Sequence, residues 1–200
     1  MPAAPRSGLL TLLWIFAAAC SESDAVSVRV VLAADGSGTI ATAGLRIPSD
    51  PLPYETVAKG AVWTDRANLY CGKGTFKDIA ALDLAGIRFT LTTTPEGRSF
   101  LHVNLPCGAG AAWCAAFAPA PAEQRKASVT LDPTGKITSA GVTLKLEIEV
   151  PGEVAGIGIA PNLRGSSTDK FKQRATVILP IKAVLESSDK ELSFDVTFKR

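Results

Sequence analysis

Apolar residues recur at every second position over several stretches of the chain, the period of a sheet with one buried and one wet face. Val26, Val28, Val30 and Leu32 follow that period, and Asp35-Gly-Ser-Gly38 then signals a hairpin whose return strand runs over 39–47. Pro48, Pro51 and Pro53 end it, because proline lacks an N–H and restricts the residue before it. Ile87, Phe89 and Leu91 face one way, Pro95-Glu-Gly97 turns the chain, and 99–105 returns with Leu101, Val103 and Leu105 on one side. Residues 126–131 pair with a strand from Ile137 across Asp132-Pro-Thr-Gly135. Val142, Leu144, Leu146, Ile148 and Val150 alternate strictly with polar residues until Pro151-Gly152, and read as a strand of an antiparallel sheet. Residues 174–186 read as one long strand in which Pro180 implies an edge position or a bulge. Ser187-Ser-Asp-Lys190 then turns into 191–199, with Leu192, Phe194, Val196 and Phe198 inward.

Helical signals are fewer. Tyr54, Val57, Ala58, Ala61 and Val62 fall at helical spacing, interrupted by Gly60, and predict a short helix within 54–70. Residues 76–84 add a turn or two, opening near Lys77-Asp78. The Ala-, Gly- and Pro-rich stretch 106–124 reads as an irregular loop, and 161–172 as a polar surface loop. The expected fold is α+β and mainly antiparallel: a curved sheet of about eight strands with one or two short helices.

The first segment changes the picture. Met1 to Gly8 carries one charge, Arg6, and the eleven residues from Leu9 to Ala19 are almost wholly apolar. A bilayer span needs about 20, so this is the apolar region of an export signal. Ala17-Ala-Ala-Cys20 resembles the lipobox of bacterial lipoproteins, with Ala17 where Leu is commoner. That resemblance implies cleavage before Cys20, acylation of its thiol, and a membrane tether through the acyl chains. Cleavage at an ordinary Ala-x-Ala site after Ala19 is the competing reading. By resemblance to enterobacterial sorting rules, Ser21 implies the outer membrane. The chain then divides into a signal peptide (1–19), a lipidated tether (20–24) and a single mainly-β domain (25–200).

Composition excludes some partners. Loss of 1–19 removes Arg6 from 21 Lys+Arg against 19 Asp+Glu, which leaves 20 against 19. A near-neutral chain with no basic stripe is not expected to bind nucleic acid. Cys71, Cys107 and Cys114 remain for an oxidising compartment, where disulfides persist. Three thiols allow at most one bridge. Cys107–Cys114 closes a short loop, and Cys71 to either is the alternative; spacing does not choose between them.

A second resemblance rests on Asp35-Gly36, Phe76-Lys-Asp-Ile79, Ala85-Gly86-Ile87 and Leu146-Glu-Ile-Glu-Val-Pro-Gly152 in that order. This is similar to the mycobacterial LppM-like lipoprotein domain, over most of 25–199. The resemblance implies an α+β fold with a curved antiparallel sheet and an envelope role, with lipid or glycolipid as a ligand class.

Catalytic patterns do not assemble. His102 is the only histidine, set in a strand, and a metal site normally draws on several ligands. Ser167-to-Lys170 and Ser187-to-Lys190 match Ser-x-x-Lys without its companion elements. Cys71-Gly-Lys-Gly-Thr75 reads as a turn, since Ala67 stands where a phosphate loop needs glycine. Trp63, Tyr70, Trp113 and Phe117 are core candidates, although Trp113 and Phe117 sit in a loop where an exposed apolar patch marks an interaction site. No enzyme, cofactor or metal is expected. The expected role is a membrane-anchored envelope lipoprotein that binds an apolar ligand in a cavity lined by side chains such as Phe89, Leu146 and Phe194. The alternative is a structural or assembly lipoprotein that presents a surface to another envelope protein.

Overall fold

The computed structural model describes residues 24–44, 58–67, 71–108, 110–113 and 143–199. Among them, thirteen strands form two sheets in place of the one sheet of about eight expected. The first sheet contains β1 (Asp24–Leu32), β2 (Gly38–Gly44), β4 (Ala61–Ala67), β5 (Cys71–Phe76), β9 (Thr143–Glu149), β11 (Ser167–Phe171) and β12 (Arg174–Pro180). Its order is β11-β12-β9-β1-β2-β5-β4. The second contains β3 (Ala58–Lys59), β6 (Asp83–Leu84), β7 (Ile87–Thr93), β8 (Arg98–Pro106), β10 (Glu153–Ala160) and β13 (Glu191–Lys199), in the order β10-β13-β8-β7-β6-β3.

Period-2 alternation puts one face of each strand into a shared core. Val26, Val28, Val30, Leu144, Leu146, Ile148, Val177 and Leu179 come from the first sheet, and Phe89, Leu101, Val103, Leu105, Leu192, Phe194, Val196 and Phe198 from the second. The β1–β2 hairpin forms as the pattern predicts. Gly36 supplies φ 89 in the turn, and the Asp35 carboxylate accepts from the Ser37 N–H and hydroxyl, which lowers its pKa. The β7–β8 hairpin, β9 and β13 also match their predicted faces. β9 is not purely antiparallel: it pairs parallel with β1 (Val28 opposite Leu146) and antiparallel with β12 (Val177 opposite Leu146).

Several expectations are corrected. The described part of the helix expected over 54–70 is extended: β3 and β4 run through it, bent at Gly60. Gly60 has φ 81, and a Cβ there would stand 2.1 Å from the Ala81 carbonyl oxygen, so the chain passes from one sheet to the other at a position only glycine fits. The turn expected at Cys71-Gly-Lys-Gly-Thr75 is β5. Its inward positions Gly72 and Gly74 carry no side chain to mark the period, and Trp63 lies over Gly74. Within 76–84 the helix shrinks to one 3₁₀ turn, Ile79–Ala81, capped by the Asp78 side chain on the Ala80 N–H. The polar stretch after Pro161 contains β11, whose five residues are all exposed. Pro180 is not inside a long strand. It ends β12, which has neighbours on both sides, and precedes α1 (Ile181–Leu185), a single short turn of α-helix. β10 was not anticipated. The hairpin expected across Asp132-Pro-Thr-Gly135 lies outside the described residues.

The pairing also defines two ends. At the start of β1 lie Thr143, Pro180 and α1, joined by Gly165, whose Cβ would stand 3.2 Å from the Pro180 ring. Residues 107–108 reach the same end, where the Cys107 N–H donates to Lys190 O and the Gly108 N–H to Val184 O. The other end gathers the turns at 33–37, 94–97 and 172–173.

Candidate interaction face

The outward positions of the first sheet form a charged ladder. Arg29 on β1 stands opposite Glu147 on β9 and opposite Ala41 on β2, and Ala41 stands opposite Lys73 on β5. Arg29 approaches Glu149 at 3.1 Å and Glu147 at 3.7 Å, while Lys145 and Arg174 reach Glu147 at 3.6 and 3.8 Å. Glu147 is therefore met by three cations while its side chain is only 15% exposed. Pairs at such a surface contribute about 0–1 kcal/mol each, so they fix side-chain positions more than they stabilise the fold.

Beside the ladder the face sinks. Ala41 is short where its neighbours Arg29 and Lys73 are long, and Thr39, Thr64, Thr75 and Gly74 continue the low ground. The result is an open trough of about 340 Å³, floored by small and β-branched residues, with a cation on each side. Two strand spacings separate the strands bearing Arg29 and Lys73, about 10 Å. Thr64 sits at a bulge between Trp63 and Asp65, and its hydroxyl donates to Lys73 O at 3.2 Å. A second concavity of about 470 Å³ lies at the far end of the other sheet, among Thr94, Glu96, Arg98, Phe100 and Lys199.

Neither concavity involves the side chains expected to line an apolar cavity. Phe89, Leu146 and Phe194 are 2%, 1% and 1% exposed and belong to the packed core. Trp113 is no part of an exposed patch: it is fully buried, and its indole N–H donates to Pro106 O at 2.8 Å. Trp63 is buried as well. Cys20, Cys114, Tyr70 and Phe117 lie outside the described residues. Cys71 opens β5. Cys107, half-buried, is a free thiol among the described residues; burial raises its pKa, and Asp189 and Glu191 add to the rise.

His102 is half-exposed on the outer face of the second sheet, its Nδ1 paired with Asp195 on the adjacent strand. Ser193, two residues before Asp195 on the same face, donates its hydroxyl to Ala160 O at 3.3 Å. Ser167 and Lys170 lie three apart on a strand and point to opposite faces. Lys170 donates to Ala155 O at 2.6 Å, and Ser187 accepts from the Asp189 N–H. Arg29, Ala41 and Lys73 carried no sequence signal, because the trough arises only when three strands align.

No helix among the described residues is long and apolar enough to cross a membrane. No family model matches the chain, and no curated protein matches it. Among solved structures it is similar to the folded domain of LppM from Mycobacterium tuberculosis, determined by NMR, at TM-score 0.39 and 12% identity, covering 90% of this chain and 94% of that one. A likeness at that level says nothing about function.

Proposed function

We propose that the chain is a non-enzymatic lipoprotein of the bacterial cell envelope, acylated at Cys20, held at the outer membrane, and binding its partner on the outside of the sandwich. The trough between Arg29 and Lys73 carries the proposal. It combines an apolar floor with polar groups at its rim, the usual make-up of a recognition site. An extended segment of another envelope protein fits it, with its apolar side chains toward Ala41 and Thr39. The apolar-ligand reading loses support, because the side chains that would line its cavity are packed against one another.

A photoreactive residue in place of Thr75, in cells making the acylated chain, tests this. One adduct of defined mass is expected, and Ala41→Trp, which fills the trough, should remove it while leaving the protein folded and acylated. Absence of any adduct, or an adduct unchanged in A41W, would sink the proposal.

A further inference from the structure

The attachment at Cys20 is short relative to the domain. Only Ser21, Glu22 and Ser23 separate it from Asp24, the first residue of β1. Four peptide steps, however extended, span at most about 14 Å. β1 is nine residues long, and a strand of that length covers about 30 Å. The start of β1 is thus confined near the bilayer, while the sandwich is about twice as long as the reach of its tether.

Which surface meets the bilayer then depends on what surrounds the start of β1. The broad outer face of the first sheet carries Glu147, Glu149 and Asp169 among its cations, and a flat orientation would press those carboxylates and the trough against headgroups. Among the described residues, the end is of another character. It presents exposed Arg164, Lys182 and Lys190 with Glu186 and Asp189, over half-buried Leu163 and Leu185. Mixed charges above an apolar layer match a headgroup zone, itself of mixed charge.

We infer that the sandwich stands end-on, with α1 and the 161–166 loop against the bilayer that holds the acyl chains, and the turns at 33–37, 94–97 and 172–173 facing away. This rests on the reading of Cys20 as the acylated residue. The trough then runs up the side of an upright domain and stays open to a partner.

Vesicles of phosphatidylethanolamine and phosphatidylglycerol with a nitroxide-headgroup lipid provide the test. The acylated chain is labelled with a bioorthogonal fluorophore at position 164, 182, 34 or 96, all exposed, in separate samples, and palmitate content is measured in each. Quenching at 164 and 182 should exceed that at 34 and 96 by about threefold or more, given ends about 30 Å apart. A flexible 15-residue insert after Glu22 should level the four, since about 20 Å of added flexible reach frees the domain to turn. Equal quenching at all four positions of the acylated natural chain, or stronger quenching at 34 and 96, overturns the orientation alone. A purified chain without palmitate overturns the Cys20 reading and this inference together.

Discussion

Three side chains sit in environments that do not suit them, and each yields a measurable consequence. Thr42 is 3% exposed on the inner face of β2, and its hydroxyl has no hydrogen-bond partner among the described residues. Thr42→Val removes that unpaired group at almost constant volume, and a gain of about 1 kcal/mol in denaturant unfolding is expected. Ala85 has φ 50 in the two-residue turn joining β6 to β7, followed by Gly86 at φ 96, while the Asp83 carboxylate accepts from the Gly86 N–H. A left-handed alanine costs about 1–2 kcal/mol. Asn-Gly is the favoured pair for this turn, so Ala85→Asn should raise the melting temperature by about 2–4 °C per kcal/mol recovered. Cys107 should alkylate slowly at neutral pH. Only the thiolate reacts, and because burial raises the pKa, its rate should climb at higher pH than that of a small-molecule thiol. A rate profile identical to the free thiol would contradict the half-buried placement.

At the scale of elements, legibility follows phase. β1, β7, β8, β9 and β13 keep period 2 along their length, so their inner faces were readable residue by residue. β10 was not, because the register shifts between Val154 and Gly156: Val154, Ile157 and Ile159 all point inward, but the first two are three apart. Its outward positions, Gly156, Gly158 and Ala160, supply no polar counterpart to the apolar ones. β3 and β4 imitated helical spacing because the chain changes sheets at Gly60, and each short piece follows its own phase. The interaction face was illegible for another reason: Arg29, Ala41 and Lys73 meet only through strand register. Gly60→Ala tests the corner. Its methyl group would collide with the Ala81–Leu82 backbone at a positive φ, and a loss of about 2–4 kcal/mol is expected. A loss under about 0.5 kcal/mol, the range of an ordinary surface change, would argue against the kink.

At the scale of the molecule, the packing of the described core separates the two functional readings. Leu146 contacts neither solvent nor a cavity among those described, so Leu146→Ala should cost about 2–5 kcal/mol. If Leu146 instead bordered a ligand space, the truncation would cost far less and enlarge that space, and a co-purifying apolar compound would bind the variant more readily. β1, the parallel neighbour of the strand that carries Leu146, also has a temporal role. β1 can fold back on β2 as soon as residue 44 exists, but its other flank is completed by a partner that ends at residue 149. On a chain made from its N-terminus at about 5–20 residues per second, that flank waits on the order of 10 s with its N–H and C=O groups open to any passing strand. An unpaired strand flank of that kind invites pairing with other chains, so refolding yield should fall as protein concentration rises, and light scattering during refolding checks this.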